Sequence, residues 1–261
     1  MAGANDMLTN KSVSELDLSI IVPAYNEEAN LPACLETLLG TFAGSSFEVL
    51  VIDDGSRDRT LAIARRLAEE HPETIRVLAH SRNQGFGAVL RTGFGEARGR
   101  YVTCCPADFA MTPDDWRPFE ASLGEADVVV GCRIRREGYN FLMRFNSWLY
   151  PKLVRLLFGL RLRDVNWISV YRRDLVERVE ITQGGVPMLV EMLVKLRDLG
   201  ATFREVDCRM QARTVGTPSA SRFRVMWRTL TGLLALWLGY RRPTPSPTTT
   251  SASTDLPGAI R

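Results

Sequence analysis

Short β-branched runs alternate with stretches of helical periodicity from Leu18 to Arg133, and this alternation constrains the fold more than any other feature. Five runs have the composition of buried strands, and the segments between them carry apolar residues every three or four positions. The strand segments are LSIIVP, FEVLVID, IRVLA, RYVTCC and ADVVVGCR. Strands and helices in regular succession predict an α/β fold with a mostly parallel central sheet and four helical crossovers.

Helix-start signals locate two of the crossovers. Asn30 is placed to cap the first helix. The apolar face of that helix is predicted to comprise Leu31, Cys34, Leu35, Leu38 and Leu39. Thr112, followed by Pro113 and Asp115, has the pattern of a capped helix start with an acid near the positive end of the helix dipole. These signals explain Asp115 but not Asp108, which lies before the cap and just past a strand.

Composition excludes several classes of protein. The 261 residues are 45% hydrophobic and 24% charged, as in an ordinary globular domain, and the net charge of +3 is too small to indicate nucleic-acid binding. The five cysteines show no C-x-x-C spacing, so we expect reduced thiols. The first residues lack the apolar core of a signal peptide, and no apolar run reaches the roughly 20 residues of a spanning helix. We therefore expect a cytoplasmic protein.

The sequence changes character after Arg133. From there to Arg163, arginines are interleaved with aromatic and aliphatic residues, which fits either a solvated helix face over a core or an amphipathic surface that contacts anionic lipid. The stretch from Arg222 to Arg242 is apolar at its centre and basic at its ends, and Arg228 interrupts it. It predicts either an interfacial helix or a helix packed on the core. From Pro243 onward, a Pro/Ser/Thr-rich composition predicts disorder.

Three polar loops follow strands of the predicted sheet. PAYNEE follows the first strand, DDGSRD the second, and PADFAM the strand that begins near Tyr101. Since the carboxyl ends of parallel strands meet at one edge of a sheet, a single ligand can contact all three loops there. Each loop alone has an ordinary structural explanation, as an Asp–Gly turn or an acidic helix start. Their convergence is what predicts a ligand site.

These loops and the segments around them resemble the family 2 glycosyltransferases of GT-A fold, and among them the polyprenyl-phosphate (dolichyl-phosphate) mannosyl and glucosyl transferases. The resemblance runs in the family's order from about residue 18 to residue 220. The matching elements are SIIVPAYNEEANL, VIDDGSRDRT, RNQGFGAVLRTGF, PAD followed by TPDD, ADVVVGCR and RTVG.

The resemblance implies a site for a nucleotide-diphosphate sugar. An apolar or aromatic wall packs a base well, and a carboxylate accepts hydrogen bonds from the base's N–H edge. A loop aromatic such as Tyr25 also has a purely structural explanation, as a packed side chain. The matching donor-binding positions are Pro23, Tyr25, Glu27, Ile52, Asp54 and Ala107.

The same resemblance places PADFA where the family carries its D-x-D-type metal motif. Asp108 keeps the second acid and is the implied catalytic metal ligand, whereas Pro106 and Ala110 stand at positions that can supply oxygen ligands. Mg²⁺ and Mn²⁺ prefer several oxygen ligands, but water and donor phosphates can complete the set around one carboxylate. The resemblance therefore implies a weakened site for Mg²⁺ or Mn²⁺.

Two arginines match phosphate-binding positions of the family. Arg133 matches a residue near the acceptor phosphate, and Arg213 one near the donor phosphates. After the glycine of RTVG, where the family often carries a lysine, only Arg222 offers a cation. Arg144 and Asp164 lie in the looser acceptor region, where a salt-bridged structural pair is equally compatible with the sequence.

We interpret the chain as an inverting glycosyltransferase that moves a sugar from a nucleotide-diphosphate donor to a polyprenyl phosphate, peripheral on the inner face of the membrane. A transferase with a soluble or secondary-metabolite acceptor, and a nucleotide-sugar-binding pseudoenzyme or regulatory subunit, stay open as alternatives. Histidine-based metal binding and a serine-type triad lack support, because the chain has only His71 and His80. The predicted boundaries are a flexible N-terminus at 1–16, the GT-A domain at 17–220, an amphipathic helix at 221–242 and a disordered tail at 243–261.

Overall fold

The computed structural model describes residues 16–108, 112–136, 141–210 and 223–240. Its first nine elements alternate strand and helix, as the sequence predicts. They are β1 (Leu18–Ala24), α1 (Leu31–Thr41), β2 (Phe47–Asp53), α2 (Thr60–Glu70), β3 (Ile75–Ala79), α3 (Phe86–Glu96), β4 (Tyr101–Cys104), α4 (Pro113–Glu120) and β5 (Val128–Arg136). The remaining elements are α5 (Phe141–Phe158), β6 (Ser169–Arg172), α6 (Arg173–Val176), α7 (Val186–Asp198), β7 (Phe203–Met210) and α8 (Phe223–Gly239).

The described strands form one seven-stranded sheet in the order β3-β2-β1-β4-β6-β5-β7. All the pairings are parallel except those of β6, which runs antiparallel to both β4 and β5. The expectation of a mostly parallel sheet is therefore confirmed. The strand order reverses at β1, since the chain first adds strands on one side of it and then on the other, and such reversals are where open α/β sheets bind ligands.

Both faces of the sheet are covered, which explains why its strands are almost continuously apolar. Ile21 and Ile52 lie in the cluster that includes side chains of α3, α5, α7 and α8. Ile20 and Val51 lie in the opposite cluster, with side chains of α1, α2 and α4. Neighbouring residues of one strand thus enter different clusters, as the period of two in a β-strand requires.

The two helix-start predictions have different outcomes. Thr112 and Asp115 form the predicted capping box, with 2.6 Å between the Thr112 hydroxyl and the Asp115 carboxylate. Asn30 occupies the cap position of α1, but its side chain makes no capping hydrogen bond. Its Nδ2 instead donates to Glu27 Oε2 at 2.7 Å. Asn30 is therefore used to hold the loop after β1, and its prediction as a side-chain cap was wrong.

Helix α8 packs on α7 along one side and exposes the other. Gly232 makes the close approach possible, because a Cβ there would lie 2.7 Å from Pro187 Cγ. The leucines Leu233 and Leu236 are buried. The exposed side carries Trp227, Leu234, Trp237 and Leu238. Of the two predicted roles of this helix, core packing is observed on one face, and the other face leaves the interfacial role open.

No helix within the described residues is both long and apolar enough to cross a bilayer. All five cysteines fall within the described residues, and each is a thiol rather than half of a disulfide, as expected. The proposed tail at 243–261, and the N-terminus up to residue 15, lie outside the described residues.

Candidate functional site

The loops after β1 and β2 are joined by hydrogen bonds at the carboxyl edge of the sheet. The amide of Asn26 donates to Ser56 Oγ at 3.0 Å, and its side-chain Oδ1 accepts from the Arg57 amide at 2.9 Å. The Glu27 amide donates to Thr60 Oγ1 at 2.8 Å. Asn26 adopts a φ of 56°, a left-handed conformation that asparagine tolerates better than most residues. The two loops therefore behave as one polar structure.

The predicted donor-binding residues Pro23, Tyr25, Glu27 and Ile52 lie in or beside this structure. Pro23 and Ile52 are partners in the register of β1 with β2, so they form adjacent parts of the sheet edge. Ile52 is fully buried, while Tyr25 is 39% exposed and available to a ligand. The Glu27 carboxylate accepts the hydrogen bond from Asn30.

Asp54 is buried and engaged by three donors. Its Oδ1 lies 2.8 Å from His80 Nδ1 and accepts from the Gln84 amide at 2.9 Å, and its Oδ2 accepts from the Gly85 amide at 2.7 Å. The residue is 3% exposed. A carboxylate offers about four acceptor directions, and these three contacts leave one direction of Oδ2 unused. Asp54 thus has a structural role at the start of α3 in addition to the predicted role at the base.

Asp53, the preceding residue, has a different environment. It is 1% exposed, its Oδ2 accepts from the Ser56 amide at 3.1 Å, and no described group donates to its Oδ1. Alternation along β2 places it on the sheet face opposite Asp54. A buried acceptor without a donor lowers the free energy of unfolding by about 1–3 kcal/mol, so this oxygen is destabilising at the carboxyl edge of the sheet.

His80 is a residue of this region that sequence reasoning missed. Its ring lies between Asp54 and Thr92, with Nε2 3.0 Å from Thr92 Oγ1. A search for histidine metal ligands or a catalytic triad does not find it, because neither pattern is present. The usable signal was its place directly after β3, at the same sheet edge as the DDGSRD loop.

The loop after β4 brings the predicted metal ligand to the same edge. The Cys105 amide donates to Ile21 O at 2.9 Å, which continues the β1–β4 pairing up to Pro106. Ala107 is buried and Asp108 is partly buried on a turn. Neither Pro106 nor Ala107 has a side-chain oxygen. Among the described residues there is no group of three or more His, Cys, Asp or Glu side chains that could hold a metal ion.

Arg133 is fixed within a buried polar cluster. Its Nε and Nη2 form a fork on the Asp164 carboxylate at 2.7 and 2.9 Å, and Nη2 also donates to Asn166 Oδ1. The guanidinium carbon lies 4.9 Å from the centroid of the Trp167 ring. The side chains of Arg133 and Asp164 are only 7% and 3% exposed. A phosphate near Arg133 would therefore meet a cation whose charge is already balanced by Asp164.

Several predicted positions fall elsewhere or cannot be placed. Arg144 is exposed on α5. Arg213, predicted near the donor phosphates, lies outside the described residues, as do Ala110 and Arg222. Among the described residues, the loops after β1, β2 and β4 lie at the carboxyl edge of the sheet, and Arg133 lies on β5 with Asp164 as its partner.

Comparison with known proteins shows which family the chain belongs to. The model of the family described as Glycosyl transferase family 2 matches residues 19–180. The dodecaprenyl-phosphate galacturonate synthase of Rhizobium johnstonii is 30% identical over 178 residues, which cover 66% of this chain and 53% of the relative. The dolichol-phosphate mannosyltransferase of Pyrococcus furiosus is 28% identical over 69% of this chain and 53% of its own length. The chain spans about half the length of these curated relatives.

Solved structures support the fold. Glucosyl-3-phosphoglycerate synthase from Mycobacterium tuberculosis, in complex with Mn²⁺, UDP and phosphoglyceric acid, aligns with a TM-score of 0.66 and 19% identity over 85% of this chain and 78% of that one. A mannosyltransferase from Pyrobaculum calidifontis, in complex with GDP-Man and Mn²⁺, aligns with a TM-score of 0.61 and 19% identity over 87% of this chain and 65% of that one. At such identities the likeness shows the fold alone, and the fold is the predicted GT-A fold.

Proposed function

The chain belongs to glycosyl transferase family 2, and from that membership we propose that it transfers a sugar from a nucleotide-diphosphate sugar to a polyprenyl phosphate. The observation that carries the proposal is the joining of the loops after β1 and β2 at the carboxyl edge of the sheet, beside the turn that bears Asp108. The names of curated relatives favour a polyprenyl-phosphate acceptor, since they include a dodecaprenyl-phosphate and a dolichol-phosphate enzyme.

The donor's nucleoside is proposed to bind between Tyr25 and the end of β2. Tyr25 supplies an exposed aromatic surface, and Pro23, the register partner of the buried Ile52, lies two residues before it at the end of β1. The acceptor direction left on Asp54 Oδ2 suits an N–H group of the base. Glu27 and Ala107 belong to the same proposed surface.

A divalent cation fits this site only if the donor supplies part of its coordination shell. Asp108 offers one carboxylate, and Mg²⁺ or Mn²⁺ requires about six oxygen ligands, so donor phosphates and water would have to supply the rest. When bound, the ion would neutralise negative charge on the diphosphate leaving group. Related folds with bound Mn²⁺ support this proposal. The set of ligands implies weak metal binding in the absence of donor.

The proposed chemistry is a single in-line displacement that inverts the anomeric carbon. An oxygen of the acceptor phosphate forms the new bond to C1, and the nucleoside diphosphate leaves with the bonding electron pair. A phosphate acceptor is already anionic, so no strong general base is required. Arg213 is proposed to stabilise the departing diphosphate, and Arg133, held by Asp164, to face the acceptor phosphate.

We also propose that the protein attaches to a membrane surface through α5 and α8. The exposed apolar residues of α5 recur along one face of the helix, at positions 145, 148 and 156, and Lys152 lies over the Trp148 ring at 3.5 Å. The exposed face of α8 adds two tryptophans and two leucines. Aromatic, aliphatic and basic side chains on one helix face suit the boundary between headgroups and acyl chains. The thiol state of all five cysteines fits the reducing cytoplasmic side.

One observation favours a second candidate function. Within the described part of the chain Asp108 belongs to no group of three or more potential metal ligands, which would suit a transferase with a soluble acceptor or a nucleotide-sugar-binding subunit without turnover. The assay that separates these functions measures nucleotide release from labelled UDP- and GDP-sugars, with and without polyprenyl phosphate. We expect release that requires polyprenyl phosphate. Release with soluble acceptors alone, or donor binding without any turnover, would contradict the proposal.

A further inference from the structure

We propose that His80 is a positioning residue for donor binding: it fixes the Asp54 carboxylate and, through it, the start of α3. The inference rests on the proposed function, because the donor's nucleoside is what the fixed carboxylate would receive. It goes beyond that function because His80 itself is not expected to touch the donor.

The ring of His80 is held on both sides. Its Nδ1 lies 2.8 Å from Asp54 Oδ1, and its Nε2 lies 3.0 Å from Thr92 Oγ1. The side chains of His80 and Asp54 are 10% and 4% exposed, so water competes little with either contact. The backbone is fixed as well, since the His80 amide donates to Asp53 O at 2.8 Å.

The carboxylate determines which nitrogen of His80 carries the proton. An ionised Asp54 can only accept hydrogen bonds, so Nδ1 must donate to it. In the neutral ring Nε2 is then the acceptor, and the Thr92 hydroxyl donates to it. His80, at the end of β3, therefore connects the end of β2 to the second turn of α3.

Asp54 in turn acts as a remote cap for α3. The helix has Gly85 at its N-cap with a φ of 88°, a conformation that favours glycine, and it has no local side-chain cap. The amides of Gln84 and Gly85 donate to the two oxygens of Asp54 instead. A negative charge at a helix N-terminus is stabilised by unpaired N–H groups and by the helix dipole.

The first turn of α3 is also confined on its other side. A Cβ added to Gly87 would lie 2.8 Å from Gly184 Cα, and the Arg91 guanidinium donates to Gln183 O at 3.1 Å. The turn has little space in which to move away from the sheet. Loss of the His80 contact would therefore reorient Asp54 rather than shift the whole helix. The unused acceptor direction of Asp54 Oδ2 would then no longer have a fixed orientation.

Two substitutions separate this role from a general contribution to stability. His80→Asn places an amide N–H near the position of Nδ1, so it retains the donor to Asp54 and loses the contact with Thr92. His80→Gln places its amide near the position of Nε2, so it retains the contact with Thr92 and loses the donor to Asp54. His71→Asn, at an exposed histidine just after α2, is the matched control. Asp54→Ala measures the effect of losing the carboxylate completely.

The measurements on the full chain are calorimetric affinity for a UDP- and GDP-sugar panel, thermal unfolding, steady-state kinetics, and hydrogen exchange of the Gln84 and Gly85 amides. We expect the donor affinity of His80→Asn to lie within about threefold of wild type. The donor affinity of His80→Gln should be about tenfold lower than wild type, and the loss should not exceed that of Asp54→Ala. In His80→Gln, KM should rise while kcat changes little. Faster exchange of both amides should accompany that loss.

Equal affinities of the two His80 variants, whether both are normal or both are weakened, would overturn the inference. The inference would also be overturned if the lower donor affinity of His80→Gln were explained by a lower melting temperature that His80→Asn does not show. If the amide exchange separates the two variants as expected while wild type binds no donor, the contact through His80 is supported and the proposed function is overturned.

Discussion

At the scale of single residues, adjacent aspartates at the end of β2 have distinct surroundings. Asp54 points toward α3 and receives three hydrogen bonds, whereas Asp53 points to the other face and keeps one oxygen without a described donor. The sequence presents them only as a DD pair before a turn. Because side chains alternate along a strand, the two carboxylates cannot serve the same contact.

The residue-scale prediction concerns Asp108. Asp108→Asn keeps the shape of the side chain and removes its charge, so we expect turnover to fall about a hundredfold and its dependence on Mg²⁺ or Mn²⁺ to weaken. Thermal unfolding should change little, because the residue is only partly buried. The assay is nucleotide release over a titration of each cation. Asp114→Asn, whose carboxylate is 86% exposed at the start of α4, is the matched control. Full activity with unchanged metal dependence would return Asp108 to a turn-forming role.

At the scale of elements, a buried carboxylate joins three strands at the edge of the sheet opposite the site. Glu48 of β2 accepts from Ser19 Oγ of β1 at 2.7 Å, from Arg76 Nη1 of β3 at 2.8 Å, and from the Arg98 amide at 2.8 Å. Burial by itself raises the pKa of Glu48, but the hydrogen bonds from Ser19, Arg76 and Arg98 outweigh it and hold the pKa below its usual value. The network therefore stabilises the fold while the carboxylate is ionised.

This network predicts a pH dependence of stability. The pKa of Glu48 is lower in the folded state, so its contribution is complete above the unfolded pKa of about 4.3 and is lost as the pH falls through the folded pKa. Glu48→Gln should lower the free energy of unfolding by about 1–3 kcal/mol at pH 7, and the difference from wild type should shrink below about pH 4. Denaturant unfolding over this pH range measures it. Glu70→Gln, which breaks an exposed pair with Arg66, should have little effect at any pH. A difference for Glu48→Gln that does not vary with pH would contradict the assignment.

At the scale of the whole molecule, the covered sheet leaves α5 and α8 with one face each that the core does not use. The rings of Phe158 and Tyr240, at the carboxyl ends of the two helices, lie 5.8 Å apart. This contact brings the ends of α5 and α8 together. The exposed apolar residues therefore belong to neighbouring helices, and two weak lipid contacts can combine.

Vesicle co-sedimentation tests the proposed membrane surface. We expect binding to anionic vesicles, weaker binding to neutral ones, and reduction without loss at high salt, because salt screens charge but not apolar insertion. The double variant Trp237→Ser and Leu238→Ser should bind anionic vesicles at least tenfold more weakly without a change in melting temperature, since both residues are exposed. Leu199→Ser, at an exposed leucine just after α7 and outside both proposed helices, controls for loss of an exposed apolar side chain. Unchanged binding by the double variant would leave α8 with its packing role alone.

The sequence by itself determined the elements and their order. Strands buried on both faces must be apolar along their whole length, and crossover helices need one apolar face, so both patterns are legible in β1 to β5 and α1 to α4. The capping box of Thr112 and Asp115 was equally legible, because its partners are three residues apart. The convergence of the loops followed from the parallel sheet. Contacts of this kind depend on local spacing or on a general property of the fold.

Tertiary structure decided the partners of the polar side chains. Asp54 with His80, Arg133 with Asp164 and Glu48 with Arg76 are separated by 26, 31 and 28 residues. No period or motif links residues so far apart, since each pairing depends on which strand ends and loops become neighbours after folding. A buried charge must find a partner to offset its desolvation, but only the packed arrangement determines which donor is within reach. The sequence thus determines the order of helices and strands, whereas the contacts of the site depend on how the folded sheet brings distant residues together.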